Sequence, residues 1–207
     1  MEISAVTPIT RDELVAAVRR TRLQGFDQAE VYADADITLT RFDTDDLTPA
    51  QRYVLEPNVA TVLELREALL AHGVDILALD GGVWVEIDGE RIPVIPPIVE
   101  HSVEPASNNQ GSRAVALIND GIHRVYAART LGLPITVVHV TGATHPYYAL
   151  ALDGWADVTP LSELPDGFQK KAYRIPDNYK ALFRDFNALF PGVQQQRKRS
   201  NPDHLKA

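Results

Sequence analysis

The sequence predicts one mixed α/β domain, α+β in its layering, and three observations predict it. Residues 114–118 (Ala-Val-Ala-Leu-Ile) and 135–140 (Ile-Thr-Val-Val-His-Val) are apolar runs of strand length, as strands buried on both faces require. Between them Asn119-Asp120-Gly121 has turn composition. Ile122, Val125, Tyr126, Ala128 and Leu131 then give a largely apolar helix that Gly132 closes, so the unit reads strand, tight turn, helix, strand, a βαβ module. Asp80-Gly81-Gly82 and Asp88-Gly89 separate short apolar runs at 76–79, 83–87 and 91–95, the pattern of a small antiparallel meander.

The other elements follow in chain order. Thr10-Arg11-Asp12-Glu13 is a capping box, in which the Glu13 carboxylate reaches back to the free N–H of Thr10. It predicts a first helix with Leu14, Val15 and Val18 inward and Gly25 as its stop. Thr48-Pro49-Ala50-Gln51 predicts a second helix start, because proline in a first turn gives up an N–H that would be unpaired there, and Pro57 interrupts it. A third helix carries Val59, Val62, Leu63, Leu69 and Leu70 on one side, with Gly73 just past its end. Residues 104–112 are rich in turn formers and predict an exposed loop. Beyond Thr141, Pro146-Tyr147-Tyr148, Trp155 and Pro160 predict an irregular, aromatic segment. Tyr179, Leu182, Phe183, Phe186, Leu189 and Phe190 recur at three- and four-residue steps and predict a final helix over 177–190. Its stripe must bury against its own domain, a second copy in a homodimer, or a partner. The organisation expected is an N-terminal helix and strand addition at 1–45, a core at 46–142, an extension at 143–193 and a basic polar tail at 194–207.

Composition excludes several classes of chemistry. There is no cysteine among the 207 residues, hence no disulfide, thiolate metal site or cysteine nucleophile. No apolar run approaches the length of a membrane span, and the first residues lack the pattern of a signal peptide, so a soluble cytoplasmic protein with no membrane partner is expected. The net charge of -8 is unevenly spread: residues 168–207 hold nine Lys/Arg and three Asp, while the first 167 hold eleven basic and twenty-five acidic side chains. Such a body repels a phosphate backbone, whereas Lys170, Lys171, Arg197, Lys198 and Arg199 could touch polyanions, with Tyr173 and Tyr179 able to stack on bases. The same basic end could instead dock on its own acidic body or on a neighbouring subunit. His101, His139 and His145 are scattered without metal-ligand spacing, and His139, alternating within a strand, is expected to be a hydrogen-bonded core residue.

Asp120-Gly121-Ile122-His123-Arg124 lies where a strand ends and a helix begins. The first turn of a helix has backbone N–H groups without intrahelical partners, and the helix dipole favours negative charge there. Gly121 lets a ligand approach the backbone, Arg124 offers a fork of donors for phosphate oxygens, and His123 is a second donor. Asp120 could hold a divalent metal, bond a hydroxyl or act as a base. The residues fit a phosphate-binding turn. They also fit a helix start in which Asp120 caps, Arg124 pairs with a carboxylate and His123 packs.

From Leu117 to Ile135, Leu-Ile-Asn-Asp-Gly-Ile-His-Arg-Val-Tyr-Ala-Ala-Arg-Thr-Leu-Gly-Leu-Pro-Ile resembles the signature of the ParB/sulfiredoxin-like superfamily: a strand, Gly-x-His/Arg-Arg, an alanine-rich helix, Leu-Gly, and a strand opening near Pro-Ile. Upstream, residues 65–74 and Pro96-Pro97-Ile98-Val99 resemble the family's preceding helix and strand, with the hairpin at 77–95 as an insertion. The resemblance implies a mixed-sheet fold that binds nucleotides at this turn, with Gly121, Ile122, His123 and Arg124 on the phosphates. Sulfiredoxins carry their catalytic cysteine where Ile122 stands, which excludes sulfinic-acid reduction here. ParB partition proteins carry Arg-Arg where His123-Arg124 stands, and no helix-turn-helix is evident. The Gly-x-His-Arg form is nearest to the free-serine kinases, which use a glutamate base.

The function expected is therefore that of a nucleotide-binding protein, a phosphotransferase or nucleotide hydrolase. It would use ATP or another nucleotide with Mg, and a small-molecule acceptor. Asp120, His123 and Glu100 are the candidate catalytic residues, with Glu104 as an alternative base and Asp120 as the metal ligand. The competing expectations are a nucleic-acid-associated partition accessory protein and a non-catalytic partner-binding member.

Overall fold

The computed structural model describes residues 1–106, 111–186 and 189–190. In chain order it contains β1 (Ile3–Ile9), α1 (Arg11–Arg19), β2 (Asp36–Phe42), β3 (Leu47–Thr48), β4 (Tyr53–Leu55) and α2 (Glu56–Leu70). There follow β5 (Gly82–Ile87), β6 (Glu90–Val94), β7 (Ile98–Pro105), β8 (Ser112–Asp120), α3 (Ile122–Thr130), β9 (Ile135–Thr141) and β10 (Thr159–Leu161). The strands form a five-stranded sheet in the order β2-β9-β7-β8-β3, a three-stranded sheet β1-β5-β6, and the pair β10-β4. This mixture of parallel and antiparallel pairs with three helices is an α+β fold.

The central strands β7, β8 and β9 set the layers. Side chains alternate along a strand, so Val99, Ile118, Ile135 and Val137 face one way and Ile98, Val138 and Val140 the other. The first set packs with Val59 and Leu69 of α2, Ile122, Val125 and Ala128 of α3, and the small sheet's Val83, Val85 and Val94. The second packs with Leu14, Ala17 and Val18 of α1 and with Tyr32. The sheet is thus covered on both faces, which is why its strands read as continuous apolar runs.

The strand–turn–helix–strand over 112–141 is present, but its strands are not parallel neighbours. β7 lies between β8 and β9, antiparallel to the first and parallel to the second. The hairpin β5–β6 turns at Asp88-Gly89, both with positive φ, as a tight two-residue turn demands. Residues 76–79 are not a strand; β5 takes its other partner from β1, which holds Pro8 on the edge of that sheet, where a missing N–H breaks no ladder. The capping box at Thr10 and Glu13 forms as read, while α1 ends at Arg19, before Gly25. No helix starts at Thr48: Leu47 and Thr48 pair in parallel with Ala116 and Leu117, and the chain enters β4. Pro57 does not interrupt a helix but sits in the first turn of α2, where its missing N–H is harmless.

Of residues 104–112, Glu104 and Pro105 end β7 and Ser112 opens β8, while residues 107–110, the middle of the expected loop, lie outside the described residues. The helix expected over 177–190 does not form in the described part. A 3-10 turn, Tyr179–Leu182, ends at Phe183, which is extended. Its apolar residues still point inward, and Leu182, Phe186 and Leu189 are buried in the chain's own core.

Candidate functional site

The β8–α3 turn is built around Gly121. This residue is the N-cap of α3 with φ 85° and ψ 24°, a left-handed conformation that side chains disfavour. A Cβ placed there would lie 2.7 Å from Arg124 Nη2 and 2.8 Å from the Pro97 Cβ. The volume the glycine leaves is therefore taken by Arg124 and Pro97, not left open to a ligand as the sequence suggests. Arg124 Nη2 donates to Asp120 Oδ2 (3.1 Å), and its Nη1 donates to the Ile95 carbonyl. The two side chains are 18% and 16% exposed, so the pair sits at the mouth of the turn, still reachable from solvent. No side chain caps α3 and no acidic residue stands in its first turn, in contrast to α1.

His123 points to the neighbouring helix. The Leu55 N–H at the start of α2 donates to His123 Nε2 (3.0 Å), which fixes the neutral ring with its proton on Nδ1. Burial pushes its pKa down to about 4; the charge of Arg124 adds to this and Asp120 opposes it. His123 is thus an acceptor at Nε2, and that nitrogen does not serve as a donor to phosphate in this state.

Glu100 and Glu104, the two candidate bases, alternate on one face of β7 under the C-terminal segment. Glu100 is 2% exposed and both its oxygens are engaged: Oε1 accepts from Tyr32 Oη and from Arg184 Nε (2.9 Å), Oε2 from Arg184 Nη2 (3.1 Å). Glu100 is here a buried ion-pair partner of Arg184, with both oxygens turned to the C-terminal segment and to Tyr32. Glu104 is likewise buried, accepting from Ser102, Arg174 and the Ala151 N–H. The basic C-terminal segment therefore docks on its own acidic body, the alternative that the charge asymmetry left open.

Of the candidate polyanion contacts, Lys170 is exposed, and Arg197, Lys198 and Arg199 lie outside the described residues. Lys171 is half-buried, donating to Tyr147 Oη (3.1 Å) and to Tyr148 Oη. Tyr147 in turn donates to the Asn119 carbonyl (2.9 Å), one residue before Asp120. Sequence reading missed the roles of Arg174 and Arg184, whose only signal was the excess of positive charge after residue 167, of Tyr147, seen only as part of an aromatic segment, and of Tyr32, which had no signal. Among the described residues no three His, Asp or Glu side chains gather into a metal site. His139 is half-buried rather than core, lies edge-on to Phe42, and its Nε2 has no hydrogen-bond partner among the described residues.

A mixed sheet in which β8, next to the central strand, runs through Asp-Gly into a helix bearing His-Arg defines an α+β domain organised about one charged turn. The chain belongs to the ParB CE domain family, whose model matches residues 13–159, from α1 to the first residue of β10. The turn and all three helices fall within or across that match, in agreement with the ParB/sulfiredoxin-like resemblance. No curated protein and no solved structure matches the chain. No helix among the described residues is long and apolar enough to cross a membrane.

Proposed function

We propose that this protein binds a nucleotide at the β8–α3 turn and that its reaction class is phosphoryl transfer to a small-molecule acceptor, or to water. The observation that supports this best is the α3 N-terminus: it has no side-chain cap and no acid in its first turn, and Asp120 and Arg124 stand at its mouth. Backbone N–H groups of a first turn and the helix dipole favour phosphate oxygens. The Gly-x-His-Arg form of the motif, nearest to the free-serine kinases, supports the same reading.

The donor set suits Mg. This ion keeps several waters and needs only one or two carboxylates beside the substrate's phosphates, and Asp120 supplies one. Bound there, Mg would supply charge neutralisation along the phosphate chain. The protein's own part is positional. With a cation held by Asp120, the Arg124 guanidinium would turn from that carboxylate to phosphate oxygens. His123 holds the start of α2 against α3. Glu100 and Glu104 are held in ion pairs by the C-terminal segment, so the carboxylate at the turn itself is Asp120, paired with Arg124, which would either hold Mg or accept the acceptor's proton.

Calorimetry with ATP, ADP, CTP and GTP, each with Mg, tests the reading. The expected dissociation constant for one of them is roughly 1 µM to 1 mM. Arg124→Ala should abolish binding while far-UV circular dichroism stays unchanged, and Arg124→Lys should retain part of it. Absence of heat with every nucleotide, at protein concentrations of about 1 mM, would remove nucleotide binding from consideration.

A further inference from the structure

Lys171 differs from the other cations around the site. Arg66, Arg113, Arg124, Arg174 and Arg184 each sit within ion-pair distance of a carboxylate, but among the described residues Lys171 has none. Its ammonium is half-buried over the faces of Tyr147 and Tyr148, with 5.2 and 4.5 Å to the ring centroids, and two of its three N–H groups go to their hydroxyls. A phenolate could have neutralised it. Burial, however, holds the Tyr147 phenol well above its ordinary pKa, so that hydroxyl stays protonated and gives its own hydrogen to the Asn119 carbonyl. The result is a partly desolvated positive charge, held by two tyrosine hydroxyls, one phenol away from the strand end that leads into Asp120. An oxyanion is the partner such a charge lacks.

We propose that Lys171 is an anion-binding residue that takes a phosphate oxygen of the ligand, with the Tyr147 and Tyr148 hydroxyls holding its ammonium in place. The β8–α3 turn would then be approached by two cations from different parts of the chain, Arg124 on α3 and Lys171 from the C-terminal segment. The inference rests on the nucleotide reading only for the identity of the phosphate's carrier. Free pyrophosphate offers the same chemistry.

The full chain can be tested directly, because its five lysines, 170, 171, 180, 198 and 206, give a resolvable spectrum after reductive 13C-methylation. Lys171→Arg assigns the Lys171 signal and keeps the charge; Lys171→Gln removes it. Pyrophosphate, ATP with Mg, and adenosine are titrated into each protein by calorimetry. Pyrophosphate or ATP should move the Lys171 resonance. Lys171→Gln should lose at least about tenfold in affinity for both, Lys171→Arg should keep most of it, and adenosine should be indifferent to either change. ATP binding that Lys171→Gln leaves intact, with an unmoved Lys171 signal, would overturn the lysine's role and leave the nucleotide reading standing. Pyrophosphate binding through Lys171 without nucleotide binding would do the reverse. Binding of neither would overturn both. Should Lys171→Gln fail to fold, the wild-type resonance and Lys171→Arg still decide: a bound anion that leaves that resonance unmoved refutes the proposal.

Discussion

His123 spends its acceptor nitrogen on the Leu55 N–H, and that single bond ties the start of α2 to the first turn of α3. The bond requires a neutral ring, and burial lowers the pKa to about 4. In the unfolded chain the same group titrates near about 6.5. Between these values the unfolded state binds more protons, so stability falls as pH drops from about 6.5 toward 4. The loss attributable to His123 should reach about 3 kcal/mol near the lower end. His123→Gln keeps an acceptor and cannot titrate, so urea unfolding of the two proteins at several pH values isolates the term. Parallel pH profiles would show that His123 is not held as described. Gly121 carries a different constraint. An added Cβ meets both the left-handed backbone and the atoms of Arg124 and Pro97, so Gly121→Ala should cost about 2–4 kcal/mol, measured by the same unfolding method. A cost within about 0.5 kcal/mol would mean that the turn relaxes freely.

At the scale of elements, the largest local electrostatic commitment is the docking of the C-terminal segment on β7. Arg184 meets Glu100 and Arg174 meets Glu104 on the same strand face. Removing one member of the buried Glu100–Arg184 pair leaves a charge stranded, so Arg184→Met alone should cost about 3–5 kcal/mol. Glu100→Gln combined with Arg184→Met should recover a large part of that loss, since no charge is then left buried. A double-mutant cycle with no coupling between the two positions would contradict the contact. This pair also shows what sequence could and could not disclose. The Thr10 capping box, the Asp88-Gly89 turn and the glycine-started α3 are local, fixed by residues within a few positions of one another, and each was legible. Glu100 and Arg184 are 84 positions apart, and nothing near either announces the other. The same distance problem hid β1, whose partner is β5, and the insertion of β7 between β8 and β9. The expected C-terminal helix failed for another reason. Apolar side chains at three- and four-residue steps show that one side is buried, but an irregular segment can bury Leu182 and Phe186 with the same spacing. Arg184 there bonds the carbonyls of Leu182, Pro146 and His145, and taking up the Leu182 carbonyl two residues back sets it against a regular helical ladder. At the charged turn, residue identities were legible but not the choice between the two readings of them: Arg124 pairs with Asp120, and His123 packs toward α2.

At the scale of the whole molecule, charge governs which anions can approach and where. Residues 1–193 hold 16 Lys/Arg and 27 Asp/Glu, a strongly negative surface on average, and the last fourteen residues hold four Lys/Arg and one Asp. Part of the basic excess after residue 167 is already spent inside the fold, through Arg174 and Arg184. With Lys171 also held within the fold, what remains for an external polyanion is Lys170, Lys180 and the tail bearing Arg197, Lys198, Arg199 and Lys206. A body of this charge repels duplex DNA, and binding driven by a handful of cations releases few counterions. Six cations cap the dependence of log affinity on log salt at a slope of about -5. The expected outcome for the full chain is therefore weak DNA binding with a slope no steeper than that, and for a chain ending at residue 193 no measurable binding at all. Fluorescence anisotropy with a labelled duplex at several salt concentrations reads both quantities. A truncated chain that binds as tightly as the full one would place the contact on the folded body, against its charge, and would require a local cationic face that the buried ion pairs of the C-terminal segment do not leave. Nucleotide affinity should be unchanged by the same truncation, because Asp120, Arg124 and Lys171 all lie before residue 194.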